Sequence, residues 1–291
     1  MNESSRIQAC VIGYPIAHSR SPRLHTYWLD QYGLDGCYAA ESIAPERLAD
    51  FLLAVRQGTA GYCGGNATIP HKEALLAMAD SADETARMLG AANTFWVEQG
   101  ALHVGNTDTY GFLANLDAAA PQWDRPGPDR TGNAVVLGAG GAARAVVFGL
   151  ISRGFRSIIL ANRTLSRAET LARHFAAAAT VRECSLLPVT LKDAEAALTQ
   201  ADLLVNTTSL GMVGQDQLVI SLTRLPQTAV VTDIVYTPLQ TGLLAAARSR
   251  GNRTVDGLGM LLHQAVPGFE RWFGIRPQVT EALHRHMLQD L

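Results

Sequence analysis

The chain has 291 residues, room for two domains at the usual ~150 residues each. Its 47% hydrophobic content is that of a globular protein, and a net charge of −2 supplies no basic footprint for nucleic acid or an anionic membrane. Charged residues make up only 17%, which favours self-association, a homodimer in the simplest case. Lysine occurs only at Lys72 and Lys192 in an arginine-rich chain, so both positions stand out. Cys10, Cys37, Cys63 and Cys184 lack metal-ligand or paired spacing and read as free thiols of a reducing compartment. The opening Met1–Arg6 has no hydrophobic leader. The apolar window 134–152 is interrupted by glycines and Arg144, which fits a strand–turn–helix unit better than a membrane span. The expectation is a soluble, cytoplasmic protein.

In chain order, Gln8–Gly13 reads as a strand and Pro22–Tyr32 as a helix, with Ser21 placed to cap it. Tyr38–Ile43 is a second strand. An amphipathic helix at Pro45–Arg56 presents Leu48, Phe51, Leu52 and Val55 on one face. Gly61–Ile69 is a third strand and Lys72–Asp80 a helix. This alternation predicts an α/β layer on a mainly parallel sheet. Pro121–Pro128 reads as a linker. Strands at 134–137, 157–161, 203–206 and 230–234, with helices at 142–153 and 166–178, then form a dinucleotide-binding layout. Two helices, 261–273 and 279–291, end the chain.

Gly138-Ala139-Gly140-Gly141-Ala142-Ala143 fits G-x-G-x-x-G/A between an apolar strand and an apolar helix. Gly138 permits the turn, Gly140 lets a pyrophosphate approach, and Ala143 permits close packing, while the helix N-terminus faces the phosphates. A site for NAD usually ends the next strand in an acid. Here it ends Asn162-Arg163-Thr164, with Arg167 one turn on, a set suited to a 2′-phosphate and hence to NADP.

Polar clusters collect at strand ends of the first third: Ser19 and Ser21, Asn66-Ala67-Thr68 with His71-Lys72, Asn93-Thr94, and Asn106-Thr107-Asp108. So many polar groups in apolar surroundings need partners, and a polyhydroxylated ligand is one answer.

With GYPIAHSRSP, NATIPHK, GAANT, NTDTYGF, GAGGAARA, NRTLSRA, NTTSLGM, DIVYTPLQT and DGLGMLLHQA in order, the chain resembles the shikimate dehydrogenases nearly end to end. The resemblance implies an N-terminal α/β substrate domain (residues 1–110, completed by 257–291) and a Rossmann-type NADP-binding domain (111–256). It implies reversible, NADPH-dependent reduction of 3-dehydroshikimate to shikimate. By it, Lys72 and Asp108 are the catalytic pair, and Ser19 and Ser21 bind the substrate carboxylate. Asn66, Thr68, Asn93 and Gln264 meet ring hydroxyls, with Tyr236 lining the site. Asn162, Arg163, Thr164 and Arg167 grip the 2′-phosphate, Gly138, Gly140, Gly141 and Ala142 face the pyrophosphate, and Gly257 and Met260 border the nicotinamide.

The chemistry agrees: hydride addition to a ketone puts charge on oxygen, where Lys72 can supply a proton and Asp108 can steady the ammonium. The chain departs from the family at Ala67, where Val is common, and at Thr109, where Gly is common; both changes are expected beside substrate contacts. His71 is expected to be exposed on its loop. His18 and His25 read as structural or surface groups. His284 and His286, two apart on a helix, share no face, so no metal site is expected. A quinate or amino-shikimate dehydrogenase is the alternative on this scaffold, because the Asn162–Thr164 stretch speaks to the cofactor and not to the ring. A catalytically silent NADPH sensor is another, against which retention of Lys72 and Asp108 counts. The paired serines weigh against a folate-type dehydrogenase.

Overall fold

The computed structural model describes residues 6–125 and 132–289, which form two units: residues up to 108 with those from 262, and residues 109–261. The expectations for Met1–Ser5, for 126–128 of the linker and for the last two residues of the final helix lie outside the described residues.

In the first unit β1 (Ile7–Gly13), β2 (Gly36–Ser42), β3 (Gly64–Ala67), β4 (Ser81–Ala82), β5 (Thr94–Glu98) and β6 (Ala101–Gly105) make one sheet, ordered β2-β1-β3-β5-β6-β4. β1 runs parallel to β2 and β3, but β5 is antiparallel to both β3 and β6. With β4 parallel to β6, the sheet is mainly parallel as expected from sequence, and β5 is the one strand that runs the other way. The cause is a two-residue hairpin: Gln99 (φ 51°) and Gly100 (φ 78°) both adopt left-handed backbone, whose twist suits adjoining strands.

Helices α1 (Ser21–Tyr32), α2 (Leu48–Arg56), α3 (Lys72–Ala77) and α4 (Glu84–Leu89) accompany this sheet. Helix α1 starts one residue earlier than expected, so Ser21 lies inside its first turn and is not its cap; Arg20 takes that position with no side-chain bond. Leu48, Leu52 and Val55 of α2 pack with Cys10, Ile12, Ala67, Leu75, Phe95 and Val104 in a core on one sheet face. Each large apolar side chain there contributes about 1.5–3 kcal/mol by leaving water.

The second unit holds α5 (Asp108–Ala119, beginning at the junction), β7 (Asn133–Leu137), α6 (Gly141–Ser152), β8 (Ser157–Asn162), α7 (Leu165–Val181) and β9 (Ser185–Thr190). It continues with α8 (Ala194–Ala197), β10 (Leu203–Asn206), β11 (Val230–Asp233), α9 (Gly242–Ser249) and β12 (Arg253–Val255). Its sheet, β12-β11-β10-β7-β8-β9, is parallel throughout. Ala134–Leu137 are fully buried, as expected of strands covered on both faces. The strand order reverses between β7 and β10, where open α/β sheets bind ligands. Two edge strands escaped the sequence reading: β9 contains Pro188, tolerated at an edge, and β12 has three residues. Trp123 of the expected linker is buried in this unit, stacked on Phe155 with its indole donating to Asp117 Oδ1 at 2.8 Å. Trp123 thus anchors an otherwise largely exposed stretch of the linker to this unit.

Helix α10 (Leu258–Phe273) carries the chain back to the first unit, and α11 (Glu281–Leu288) follows. Trp272 donates to the Phe95 carbonyl at 3.0 Å, and Trp28 of α1 meets Phe269 edge-on at 5.3 Å. Among the described residues no helix is long and apolar enough to cross a membrane; the apolar window 134–152 is β7, its turn and α6.

Candidate active site

Register gathers the polar clusters at one end of the first sheet. Asn66 pairs with Thr94 and Thr94 with Gly105, so the end of β3, the start of β5 and the end of β6 lie side by side. The segments just beyond supply Thr68 to Lys72, Asn93, and Asn106 to Asp108. Lys72 opens α3, and its Nζ lies 2.6 Å from Asp108 Oδ2, the side chains being 31% and 19% exposed. The pair is sheltered yet reachable.

Asn93 Nδ2 donates to Asp108 Oδ1 at 2.8 Å, and Asn93 Oδ1 accepts from the Thr107 backbone at 2.9 Å. Gln264 of α10 joins through Oε1, 3.5 Å from Asn93 Nδ2 and 3.4 Å from Thr107 Oγ1. Asn66 Nδ2 donates to the Asn93 carbonyl and to Thr94 Oγ1, both at 3.1 Å, while Tyr38 donates to Asn66 Oδ1 at 2.6 Å. Burial pushes the Tyr38 phenol well above its usual range and keeps it a neutral donor. Asn106 Oδ1 accepts from the Asp108 backbone at 2.9 Å and so sets the start of α5. The structure thus brings together Lys72, Asp108, Asn66, Asn93 and Gln264. It adds Tyr38, Thr94, Asn106 and Thr107, to which no role had been assigned.

Ser19 is half-buried in the β1–α1 connection and Ser21 buried in the first turn of α1, Ser19 Oγ accepting weakly from the Ser21 backbone at 3.4 Å. Thr68 is half-buried beyond β3, its methyl so close to Gly13 that a Cβ there would lie 2.6 Å from it. Three expectations need correction. Ala67 faces the apolar core, because neighbours on a strand point to opposite faces and Asn66 takes the polar one. Thr109 does not end beside the polar cluster; it is buried in the second unit, donating to the Ala145 carbonyl at 3.0 Å. His71 is buried, its Nε2 donating to the Ile43 carbonyl at 2.7 Å and tying the Lys72 loop to the end of β2.

His25 is also buried, among Trp28, Tyr38, Phe269 and Trp272, with Tyr38 stacked on it at 3.9 Å. Neither ring nitrogen has a hydrogen-bond partner, and burial pushes its pKa down to about 3, Asn66 alongside pulling the other way.

In the second unit Gly138 adopts φ 109°, and a Cβ there would sit 2.5 Å from Thr207 Oγ1. A Cβ on Gly140 or Gly141 would meet nothing within 4 Å, so the turn leaves open space in front of the first N–H groups of α6, which include that of Ala142 and have no acceptor in their own helix. β8 ends without an acid; Asn162 Nδ2 bonds the Thr164 carbonyl, and Thr164, Arg163 and Arg167 are exposed. Neither guanidinium is ion-paired among the described residues. An open cradle, a helix N-terminus and two free cations fit a dinucleotide carrying an extra phosphate. Tyr236 is half-buried just past β11, and Met260 is partly exposed near the start of α10. At Gly257 a Cβ would come within 2.2 Å of the Ile234 carbonyl, so close backbone approach alone requires glycine.

Profiles of three domains match in chain order. They are the shikimate dehydrogenase substrate binding domain (residues 11–95), shikimate/quinate 5-dehydrogenase (128–237) and the shikimate 5'-dehydrogenase C-terminal domain (257–284). A relative from Brucella abortus (strain S19) named shikimate dehydrogenase (NADP(+)) is 54% identical over 287 residues, 98% of this chain and 94% of that protein. The crystal structure of shikimate 5-dehydrogenase from Thermus thermophilus in complex with NADP(H) and shikimate is 34% identical, with a TM-score of 0.82 over 98% of this chain and 100% of that one. Quinate dehydrogenase from Corynebacterium glutamicum in complex with NAD is 30% identical, with a TM-score of 0.84 over 97% of each chain. Identity at this level across almost the whole length, on the same fold, means that the chain belongs to the shikimate dehydrogenase family.

Proposed function

We infer that the chain is an NADP-dependent shikimate dehydrogenase, interconverting 3-dehydroshikimate and shikimate on the route to aromatic amino acids, with Lys72 and Asp108 handling the proton. The observation that carries the assignment is the sheltered 2.6 Å ion pair, held by Asn93 at the sheet end where the polar side chains converge. Gly138, Gly140, Gly141, Ala142, Asn162, Arg163, Thr164 and Arg167 would hold NADPH, which when bound would supply the hydride. Gly257 and Met260 are assigned to the nicotinamide end of that site. Lys72 Nζ donates to the carbonyl oxygen and gives up a proton as charge develops there, and Asp108 keeps the amine aimed. In the reverse direction the pair accepts the proton of the alcohol.

Ser19 and Ser21 hold the substrate carboxylate, and Asn66, Thr68, Asn93 and Gln264 hold ring hydroxyls. The advantage of such a site is that its dipoles are oriented before substrate arrives. Free thiols at all four cysteines and the low charge content support a cytoplasmic enzyme that self-associates as a homodimer.

The test is the initial rate of NADPH formation from NADP⁺ with shikimate, beside quinate and beside NAD⁺. Rapid turnover on shikimate with NADP⁺ is expected. Preference for quinate, or equal rates with NAD⁺, would overturn the substrate or the cofactor assignment respectively.

A further inference from the structure

We propose that Tyr38 and Thr94 are positioning residues for the Lys72–Asp108 pair, acting through a buried chain of hydrogen bonds that all point one way. This rests on the assignment of proton transfer to that pair. The chain runs from Tyr38 Oη to Asn66 Oδ1 (2.6 Å), Asn66 Nδ2 to Thr94 Oγ1 (3.1 Å), Thr94 Oγ1 to Asn93 Oδ1 (2.9 Å) and Asn93 Nδ2 to Asp108 Oδ1 (2.8 Å). Lys72 closes it from the other side at Asp108 Oδ2.

The direction is forced by backbone groups with one possible role each. Asn66 Nδ2 also faces the Asn93 carbonyl, which only accepts, so Oδ1 of that amide must be the atom facing Tyr38, and Tyr38 must donate. Asn93 Oδ1 faces the Thr107 N–H, which only donates, so Asn93 Nδ2 must face Asp108. Thr94, between the two amides, is left to accept from Asn66 and donate to Asn93. The four residues upstream of Asp108 are 3–6% exposed, so water does not replace a lost bond. A chain with one donor sense polarises along its length and delivers an amide hydrogen to Asp108 at a set angle. Asp108 then offers its other oxygen to Lys72.

Thr94→Val keeps the shape of the side chain and removes the hydroxyl. Asn93 then loses the Thr94 bond that helps hold its amide in register with Asp108. A fall in kcat of roughly tenfold is expected, the size of one well-placed hydrogen bond. The KM for shikimate should change much less than kcat, NADPH affinity should be unchanged, and Thr94→Ser should restore kcat. Tyr38→Phe should lower kcat by a smaller factor. Combined with Thr94→Val it should add little, because the chain is already cut.

Wild-type kcat in soluble Thr94→Val, or failure of Thr94→Ser to recover it, overturns the proposal. So does a double variant whose loss is the product of the two single losses. If Thr94→Val does not fold, Tyr38→Phe decides on its own: wild-type kcat there overturns the chain. Asp108→Asn run in parallel separates the two claims. Lost turnover in Asp108→Asn beside a normal Thr94→Val sinks the chain and leaves the pair standing. Retained turnover in Asp108→Asn sinks the assignment on which the chain depends.

Discussion

At the end of the first sheet Lys72, Asp108, Asn93 and Asn66 are held by one another, whereas in the second unit Arg163 and Arg167 are exposed with no ion pair among the described residues, and the glycine turn leaves open space at Gly140 and Gly141. The first arrangement suits a site whose groups must already point correctly when charge develops on a substrate oxygen. The second suits a site completed by its ligand, since phosphates bring the acceptors that helix termini and guanidinium groups lack. Disturbing the first region should therefore appear in turnover, and disturbing the second in cofactor affinity.

The largest expected effect sharpens that contrast. Lys72→Ala should lower kcat on the order of 10³-fold, the usual weight of a positioned acid–base group. NADPH affinity, measured by fluorescence titration, should stay where it was. A variant that keeps its turnover would remove Lys72 from the chemistry. Arg163→Ala should do the reverse, weakening NADPH by roughly 10- to 100-fold, as expected for one charge-assisted hydrogen bond to a phosphate. NADH affinity should be little changed. Equal losses for the two cofactors would show that Arg163 does not meet the 2′-phosphate.

Two glycines test the open cradle more finely. Gly138→Ala forces a side chain into φ 109° against Thr207 and should cost about 1–3 kcal/mol of stability. Gly140→Ala meets no protein atom, so its melting temperature should hold while NADPH binding weakens by about tenfold. If both variants lose stability alike, the space in front of Gly140 is not reserved for a ligand.

How much of this the sequence displays differs between the units. β7 and β8 are short, mostly apolar runs, the first leading straight into the glycine turn, and those local signals survive folding unchanged. The hairpin of β5 and β6 hid behind Gln99-Gly100, because glutamine rarely takes the left-handed backbone that Asn-Gly turns advertise. Lys72 and Asp108 stand 36 residues apart, and motif resemblance is what connects them in the sequence. Tyr38 and Thr94 carry no local mark, since their bonds depend on which strands become neighbours. Ala67 is the instructive error: with Asn66 assigned to the polar face, strand alternation alone places Ala67 in the core.

The last expected effect concerns the floor of the first region and its response to acid. His25 has a folded pKa of about 3 against its ordinary 6.5, and burial is the main cause. Below pH 6.5 the unfolded chain takes up a proton that the folded chain refuses, so this contribution is whole above 6.5 and is lost as pH falls toward 3. By pH 5 the loss should reach about 2 kcal/mol, at ~1.4 kcal/mol per pH unit inside the window. Asp233, whose pKa burial raises despite bonds from Thr241, Val235 and Asn206, works in the opposite direction, but it is common to both proteins being compared. His25→Phe keeps an aromatic ring against Tyr38 and removes two unpartnered nitrogens, so it should be at least as stable at pH 7.5. Its urea midpoint should then fall less steeply than that of the wild type between pH 7 and 5. Parallel curves would mean that the folded protein lets a proton reach His25, and that the first region is less tightly closed beneath Tyr38 than its packing implies.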